Sequence, residues 1–365
     1  MKFIINKERL LETLQKVQGP TTSKQNFPIL NSVLISAEAR KIKFFSTDLD
    51  TTILSFLDVS AEETGKVAVP MRRFLGIVRE LPSGEVSVEK LKNTLCIKCG
   101  TVVFKINTLD PEEFPKIEEP HEVTLIKIKP QVLDEMISLT SFCVGYEDTN
   151  YVLNGILFEV FEQTIQLVST DGKRLSYVRR ELAESQPGLN TKIEFILPVR
   201  AVQELHRLIR ERENDIYLFV EENRVGFDFK DTQFIARPIE GEFPNYSQYI
   251  PAQGKDVLTI DRRQMLSSLR RADLLSTPDY QGVKCALRKD GVVISKNTPQ
   301  LGEVKETVSG KFTGTPLEIG FNPTYLMDVL KNLTEEEVSF EFYGAEKPTV
   351  LRKENFVYLV LPMKI

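Results

Sequence analysis

One segment of this chain is written three times. Residues 196–219, ILPVRAVQELHRLIRERENDIYLF, run from an apolar residue and a proline into an amphipathic helix, with Val202, Leu205 and Ile209 on one face. A charged turn and a strand-like run follow. Val69-Pro70 opens the same pattern, with Phe74, Ile77, Val78 and Leu81 at i, i+3, i+4 and i+7; Phe321-Asn322 opens it again, with Leu326, Val329, Leu330 and Leu333 at those spacings. Pro70 and Pro198 are 128 residues apart, and Pro198 and Asn322 are 124 apart. Self-similarity at a nearly fixed interval limits the fold more than any local propensity, because each copy must be the same supersecondary unit.

The rest of the chain repeats in step. Ahead of each such helix lies another amphipathic segment: Lys7–Val17 (Leu10, Leu14, Val17), Pro130–Thr140 (Leu133, Met136, Ile137) and residues 262–272 (Met265, Leu269, Ala272). Alternating apolar runs follow both kinds of helix, with Asp290-Gly291 as one tight turn between them. Each copy therefore reads helix, strands, helix, strands. Short helices among many alternating strands predict an α+β fold of three similar domains, each with two helices packed on antiparallel sheets. The turn-rich stretches near 116–124 and 245–256 divide it at 1–120, 121–248 and 249–365.

Composition excludes several classes. Two histidines, His121 and His206, rule out a multi-histidine metal site and leave little room for a catalytic triad. The pair Cys96 and Cys99 has half of a zinc spacing but no second pair, and it falls in an alternating strand. Thr47-Asp48 and Thr170-Asp171 recur at strand ends, as structural turns would; an enzyme using Asp48 or Asp171 is the contrasting reading. No phosphate-binding glycine loop and no metalloprotease motif occurs. No cofactor, metal or catalytic residue is expected. No apolar run approaches membrane-span length, and the first residues lack a secretory leader's pattern, so a cytoplasmic location is expected.

Charge is segregated. The chain carries a net −5, yet the six helix spans together sum to +6, so the strands and loops are acidic. Arg72, Arg73, Arg79, Arg200, Arg207, Arg210, Arg262, Arg263, Arg270 and Arg271 supply most of that positive charge. Helices that bury one apolar stripe against a sheet turn their other faces outward. If those faces share one surface, it attracts a polyanion through sequence-independent, salt-sensitive phosphate contacts. A triplicated protein-interaction scaffold that never meets nucleic acid is the alternative. Near the turn Thr170-Asp-Gly-Lys-Arg-Leu175, the repeat brings Leu153, Phe243-Pro244 and the apolar run 359–363; this set is either a groove or core packing.

Further residues carry a family resemblance. The opening MKF, Phe27-Pro-Ile-Leu30, Thr47-Asp-Leu49, Asn154-Gly155, Thr170-Asp-Gly-Lys-Arg-Leu175, Phe243-Pro-Asn-Tyr246 and the ending Leu361-Pro-Met-Lys-Ile365 resemble the bacterial DNA polymerase III β subunits, the sliding clamps, over essentially the full length. The resemblance implies a DNA-clamp fold and a head-to-tail homodimeric ring with helices inside. It implies a non-catalytic processivity factor around double-stranded DNA, partnered by the replicative polymerase subunit, the clamp loader and other clamp-motif proteins, with no membrane. It places a peptide-binding pocket at Leu153, Thr170, Gly172, Arg174, Leu175, Pro244, Val360, Pro362 and Met363. DNA contacts fall at Lys24, Tyr151 and Arg200, to which the helix charge adds Arg72, Arg73, Arg207 and Arg210. The resemblance implies a ring closed by pairing Phe104 and Ile106 with Leu274 and Leu275 of a second copy. Lys173, Gln248 and Tyr249 depart from the family's pattern at the pocket rim.

Overall fold

The computed structural model describes the chain except for residues 23–26, 117–124, 146–148, 185–191, 211, 222 and 365. Six α-helices occur among the described residues: α1 (Lys7–Val17), α2 (Met71–Glu80), α3 (Pro130–Thr140), α4 (Val199–Ile209), α5 (Arg262–Asp273) and α6 (Pro323–Asn332). They are the six that the periodicity predicts. None is long and apolar enough to cross a membrane.

The chain folds as two compact units. One holds Met1–Gln131 with Glu204–Pro238, the other Val132–Gln203 with Ile239–Ile365, so the central repeat contributes to both. Among the described residues, the first unit contains a five-stranded and an eight-stranded sheet, the second a twelve-stranded sheet, and every strand pair is antiparallel. The eight-stranded sheet is continuous because Thr51–Leu57 of the first repeat pairs with Thr232–Ala236 of the second (Thr52 opposite Ile235). In the twelve-stranded sheet, Arg174–Glu181 of the second repeat pairs with Phe356–Val360 of the third (Leu175 opposite Leu359). The two junctions use corresponding strands.

Local chemistry is repeated as well. Asn6 caps α1 by accepting from the Glu8 and Arg9 amides at 2.9 and 3.3 Å, and Asp261 caps α5 by accepting from the Gln264 amide at 2.7 Å. The Lys7 amide donates to the Gly84 carbonyl at 2.9 Å, and the Arg262 amide donates to the Glu336 carbonyl at 2.8 Å. Lys7 Nζ reaches the Leu81 carbonyl at the end of α2. Arg262 does the same at α6, donating to the Leu330 and Glu335 carbonyls at 2.8 and 2.7 Å. The first helix of a repeat thus closes the carbonyl end of the second, where backbone acceptors lack partners.

Apolar stripes bury as the spacing requires. Leu326, Val329, Leu330 and Leu333 are all buried, as are Val202, Leu205 and Ile209. In α2 the stripe is turned slightly: Phe74, Val78 and Leu81 are buried with Met71 and Leu75, while Ile77 is only half-buried. Across the strands, Gly226 lies opposite Phe219, and a Cβ at 226 would stand 1.9 Å from the ring's Cζ. Gly226→Ala is therefore expected to destabilise that unit by about 1–3 kcal/mol through overpacking. Urea unfolding should show a lowered midpoint with an unchanged slope; an unshifted midpoint would contradict the packing described.

Candidate functional site

Strand alternation builds an apolar face on the second unit. Cross-strand neighbours share a face, so the register pairs of Leu175 with Leu359, Val168 with Tyr177, Tyr177 with Val357, and Leu359 with Val350 put these side chains together. Leu157 and Ile196 extend the row. The short helical turn Tyr151–Asn154 lays Val152 and Leu153 on the same buried cluster, and the half-buried Ile239, Phe243, Tyr246, Ile250 and Tyr343 pack along its edge. Tyr246 stacks on Tyr177 with centroids 5.8 Å apart, and its hydroxyl donates to Glu159 Oε2 at 2.6 Å. Burial, and then that carboxylate, push the Tyr246 hydroxyl well above the ordinary phenol range. It stays a donor at neutral pH.

At one end of this face sits the turn after the strand Thr164–Thr170. Thr170 Oγ1 donates to the Arg174 carbonyl at 2.6 Å and accepts from the Gly172 amide at 3.1 Å, while Asp171 Oδ1 accepts from the Lys173 and Arg174 amides, each at 3.0 Å. Gly172 has φ +79°. The first repeat builds the same turn from Thr47, Asp48 and Leu49: Thr47 Oγ1 donates to the Thr51 carbonyl at 3.1 Å and accepts from the Leu49 amide at 3.0 Å, and Asp48 Oδ1 accepts from the Asp50 and Thr51 amides at 3.1 and 2.7 Å. Both aspartates serve backbone amides.

The chain's end passes beside this turn. The Leu361 amide donates to the Lys173 carbonyl and the Met363 amide to the Gly320 carbonyl, each at 2.9 Å. Leu361 is exposed, and Pro362 and Met363 are half-buried. Pro244 is half-buried too, and Lys173, Gln248 and Tyr249 are exposed.

Two of the residues expected to line a pocket do not stand on this face. Arg174 and Val360 are register partners one position out of phase with Leu175 and Leu359, so they point to the opposite face. Val360 is fully buried there. Arg174, only 9% exposed, donates from Nε to Asp171 Oδ2 at 2.9 Å, from Nη1 to Asp328 Oδ2 at 2.8 Å and from Nη2 to the Phe142 carbonyl at 2.5 Å. Its guanidinium also lies 4.4 Å from the Tyr325 ring centroid. Burial alone would lower its pKa, but the surroundings, with Cys143, Tyr358, Asp328 and Asp171, outweigh that and hold it charged. Arg174 positions the turn from behind the sheet. Leu359, opposite Leu175, is the residue that counting alternation outward from Leu175 puts on this face.

The basic helix faces divide in the same way. Arg72, Arg73, Arg200 and Arg210 are exposed, as is Tyr151, and Lys24 lies outside the described residues. Arg207 is occupied: it donates to Glu204 Oε2 at 3.0 Å and to the Gln15 and Lys16 carbonyls at 2.9 and 2.7 Å, closing the end of α1. Arg207→Ala is expected to cost about 1–2 kcal/mol, as loss of charged hydrogen bonds to a helix end does, whereas Arg200→Ala should leave thermal unfolding unchanged. Equal melting points for the two variants would refute the assignment of Arg207 as a cap.

Comparison with known proteins decides the family. Residues 1–118, 127–245 and 247–364 match the N-terminal, central and C-terminal domains of the DNA polymerase III beta subunit. The beta sliding clamps of Pseudomonas aeruginosa and Proteus mirabilis are 30% and 31% identical to the chain, each over all of both chains. Crystal structures of the DNA polymerase III subunit beta from Pseudomonas aeruginosa and of the DNA polymerase sliding clamp from Bacillus subtilis both superpose with a TM-score of 0.94, at 29% and 28% identity. They cover 100% of this chain, and 100% and 99% of their own. The chain belongs to the DNA polymerase III β subunit family.

As sliding clamps, its members serve DNA replication as non-catalytic processivity factors. Of the residues that family resemblance gives to ring closure, Phe104 stands on the edge strand Val102–Asn107 and is 38% exposed, whereas Ile106, two residues on along the same face, is buried. Leu274, just past α5, is 80% exposed, and Leu275 is half-buried. The exposed neighbour Val103 was not among the expected residues.

Proposed function

We propose that two copies of this chain close head to tail into a ring around duplex DNA and hold the replicative polymerase on its template. The observation that carries the ring is the strand pairing used at both internal junctions, 51–57 with 232–236 and 174–181 with 356–360. A third use of the same pairing needs the long strand Gly302–Phe312 of one copy and Val102–Asn107 of another. Val102–Asn107 is a sheet edge with Val103 and Phe104 exposed, and residues 302–309 are paired on one side only among the described residues. A head-to-tail contact of this kind ends in a closed ring when its rotation allows.

In this reading the three repeats, 1–120, 121–248 and 249–365, are clamp domains whose helices line the hole. Arg72, Arg73, Arg200 and Arg210, with Lys24 and Tyr151, contact phosphates weakly enough to slide. The apolar face around Leu153, Leu175 and Leu359 receives short linear peptides of the polymerase subunit, the clamp loader and other partners through an apolar anchor. Tethering then raises the polymerase's effective concentration at the primer end. The four free thiols fit a reducing, cytoplasmic setting.

Loading the protein on nicked circular DNA and then linearising the DNA tests this. Retention on circles and loss from linear DNA is the expected result. Equal loss from both would leave a protein-interaction scaffold as the better reading.

A further inference from the structure

We propose that Lys296, with Thr298, is a positioning residue that presets the loop after α5 for contact with a second copy of the chain. This rests on the ring reading above. Lys296 is 5% exposed on the strand Gly291–Thr298, and its ammonium donates to the Tyr280 and Gly282 carbonyls, each at 2.9 Å. Thr298, two residues on and so on the same face, donates its hydroxyl to the Leu275 carbonyl at 2.6 Å. One strand thus holds the loop at both of its ends. Within the loop, Thr277 and Tyr280 exchange backbone hydrogen bonds at 3.2 and 3.1 Å, and the Leu275 and Ser276 amides bond back into α5 at 3.2 and 2.9 Å.

A buried ammonium is costly to keep, and an aliphatic side chain would fill the same space. What the charge supplies here is a direct hold on two loop carbonyls. Leu274 and Tyr280, the side chains this hold displays, are 80% and 50% exposed. An exposed leucine on a loop that must be ordered on contact loses affinity to that ordering, and a loop fixed beforehand does not.

The test uses the full chain and sedimentation equilibrium over a dilution series. Lys296→Met is expected to raise the dimer dissociation constant about tenfold or more, and Thr298→Val should raise it too. Thermal unfolding of each variant at a fixed concentration identifies one that fails to fold; Thr298→Val then carries the test alone. Because the effect is assigned to Leu274's placement, each variant combined with Leu274→Ala should weaken the dimer by less than the product of the two single effects. An unchanged constant in a folded variant, or purely multiplicative effects, would overturn the role of Lys296 and Thr298 while leaving the ring intact. A wild-type chain that stays monomeric at every concentration would instead sink the ring reading, and this inference with it.

Discussion

Replacing Arg174 by methionine is expected to destabilise the unit that holds it by about 3–5 kcal/mol, the range seen when one partner of a buried charged group is removed. The substitution keeps the side chain's length and loses its donors. Asp328 would lose the bond at 2.8 Å, Asp171 the one at 2.9 Å, and the Phe142 carbonyl its own donor. Two partly buried carboxylates and a carbonyl would lose their shared donor, leaving Asp171 to the Lys173 and Arg174 amides and Asp328 to Lys331. Adding Asp328→Asn should recover part of the loss, since a neutral amide is cheaper to leave beside methionine than a carboxylate. Urea unfolding of both variants measures this. A loss under about 1 kcal/mol, the size of an ordinary surface change, would show that Arg174 is not a hub.

The second large effect falls on partner binding. A chain ending at Val360 is expected to lose at least about a hundredfold in affinity for an apolar-anchored peptide, roughly 2.7 kcal/mol, the scale of a single interface hot spot. Truncation removes the exposed Leu361 and half-buried Met363, and with them the backbone bonds to Lys173 and Gly320 that lay the chain's end beside the apolar face. Fluorescence anisotropy with a labelled polymerase peptide reads the affinity, and sedimentation reads the dimer. Expected is a lost peptide and a retained dimer. Peptide binding at wild-type strength would place the docking site elsewhere.

The fold was legible because burial has a period. Leu326, Val329, Leu330 and Leu333 could be read as one helix face with no knowledge of what they touch, and the recurrence of that pattern made the repeat visible. The site was legible only in part. Leu153 and Leu175 lie on the apolar face, whereas Val360 stands one position out of phase with Leu359, and on a strand one residue is the other face. Arg207 shows a different limit. Its neighbours in sequence mark it as one more cation on an open helix face, yet its donors close α1, nearly two hundred residues earlier in the chain. No local pattern encodes that distance. Phe104 and Ile106 show a further limit: two residues apart on one strand, the first is exposed and the second buried, which alternation alone does not tell apart.

The twin turns at Thr47 and Thr170 bear on how such a site can change over generations. Gly172 holds φ +79° at the mouth of the apolar face, and Leu49 holds φ +81° at the matching place in the first repeat, on the same set of hydrogen bonds. A left-handed backbone costs a side chain roughly 1–2 kcal/mol, and the first repeat already tolerates that in leucine. A Cβ built at Gly172 meets no atom within 4 Å. Position 172 is therefore a ready point of descent: a lineage, or an engineer, can graft a side chain onto the lip of the apolar face for about one mutation's worth of stability, and so, if the proposed peptide docking holds, change which peptides are admitted without redrawing the fold.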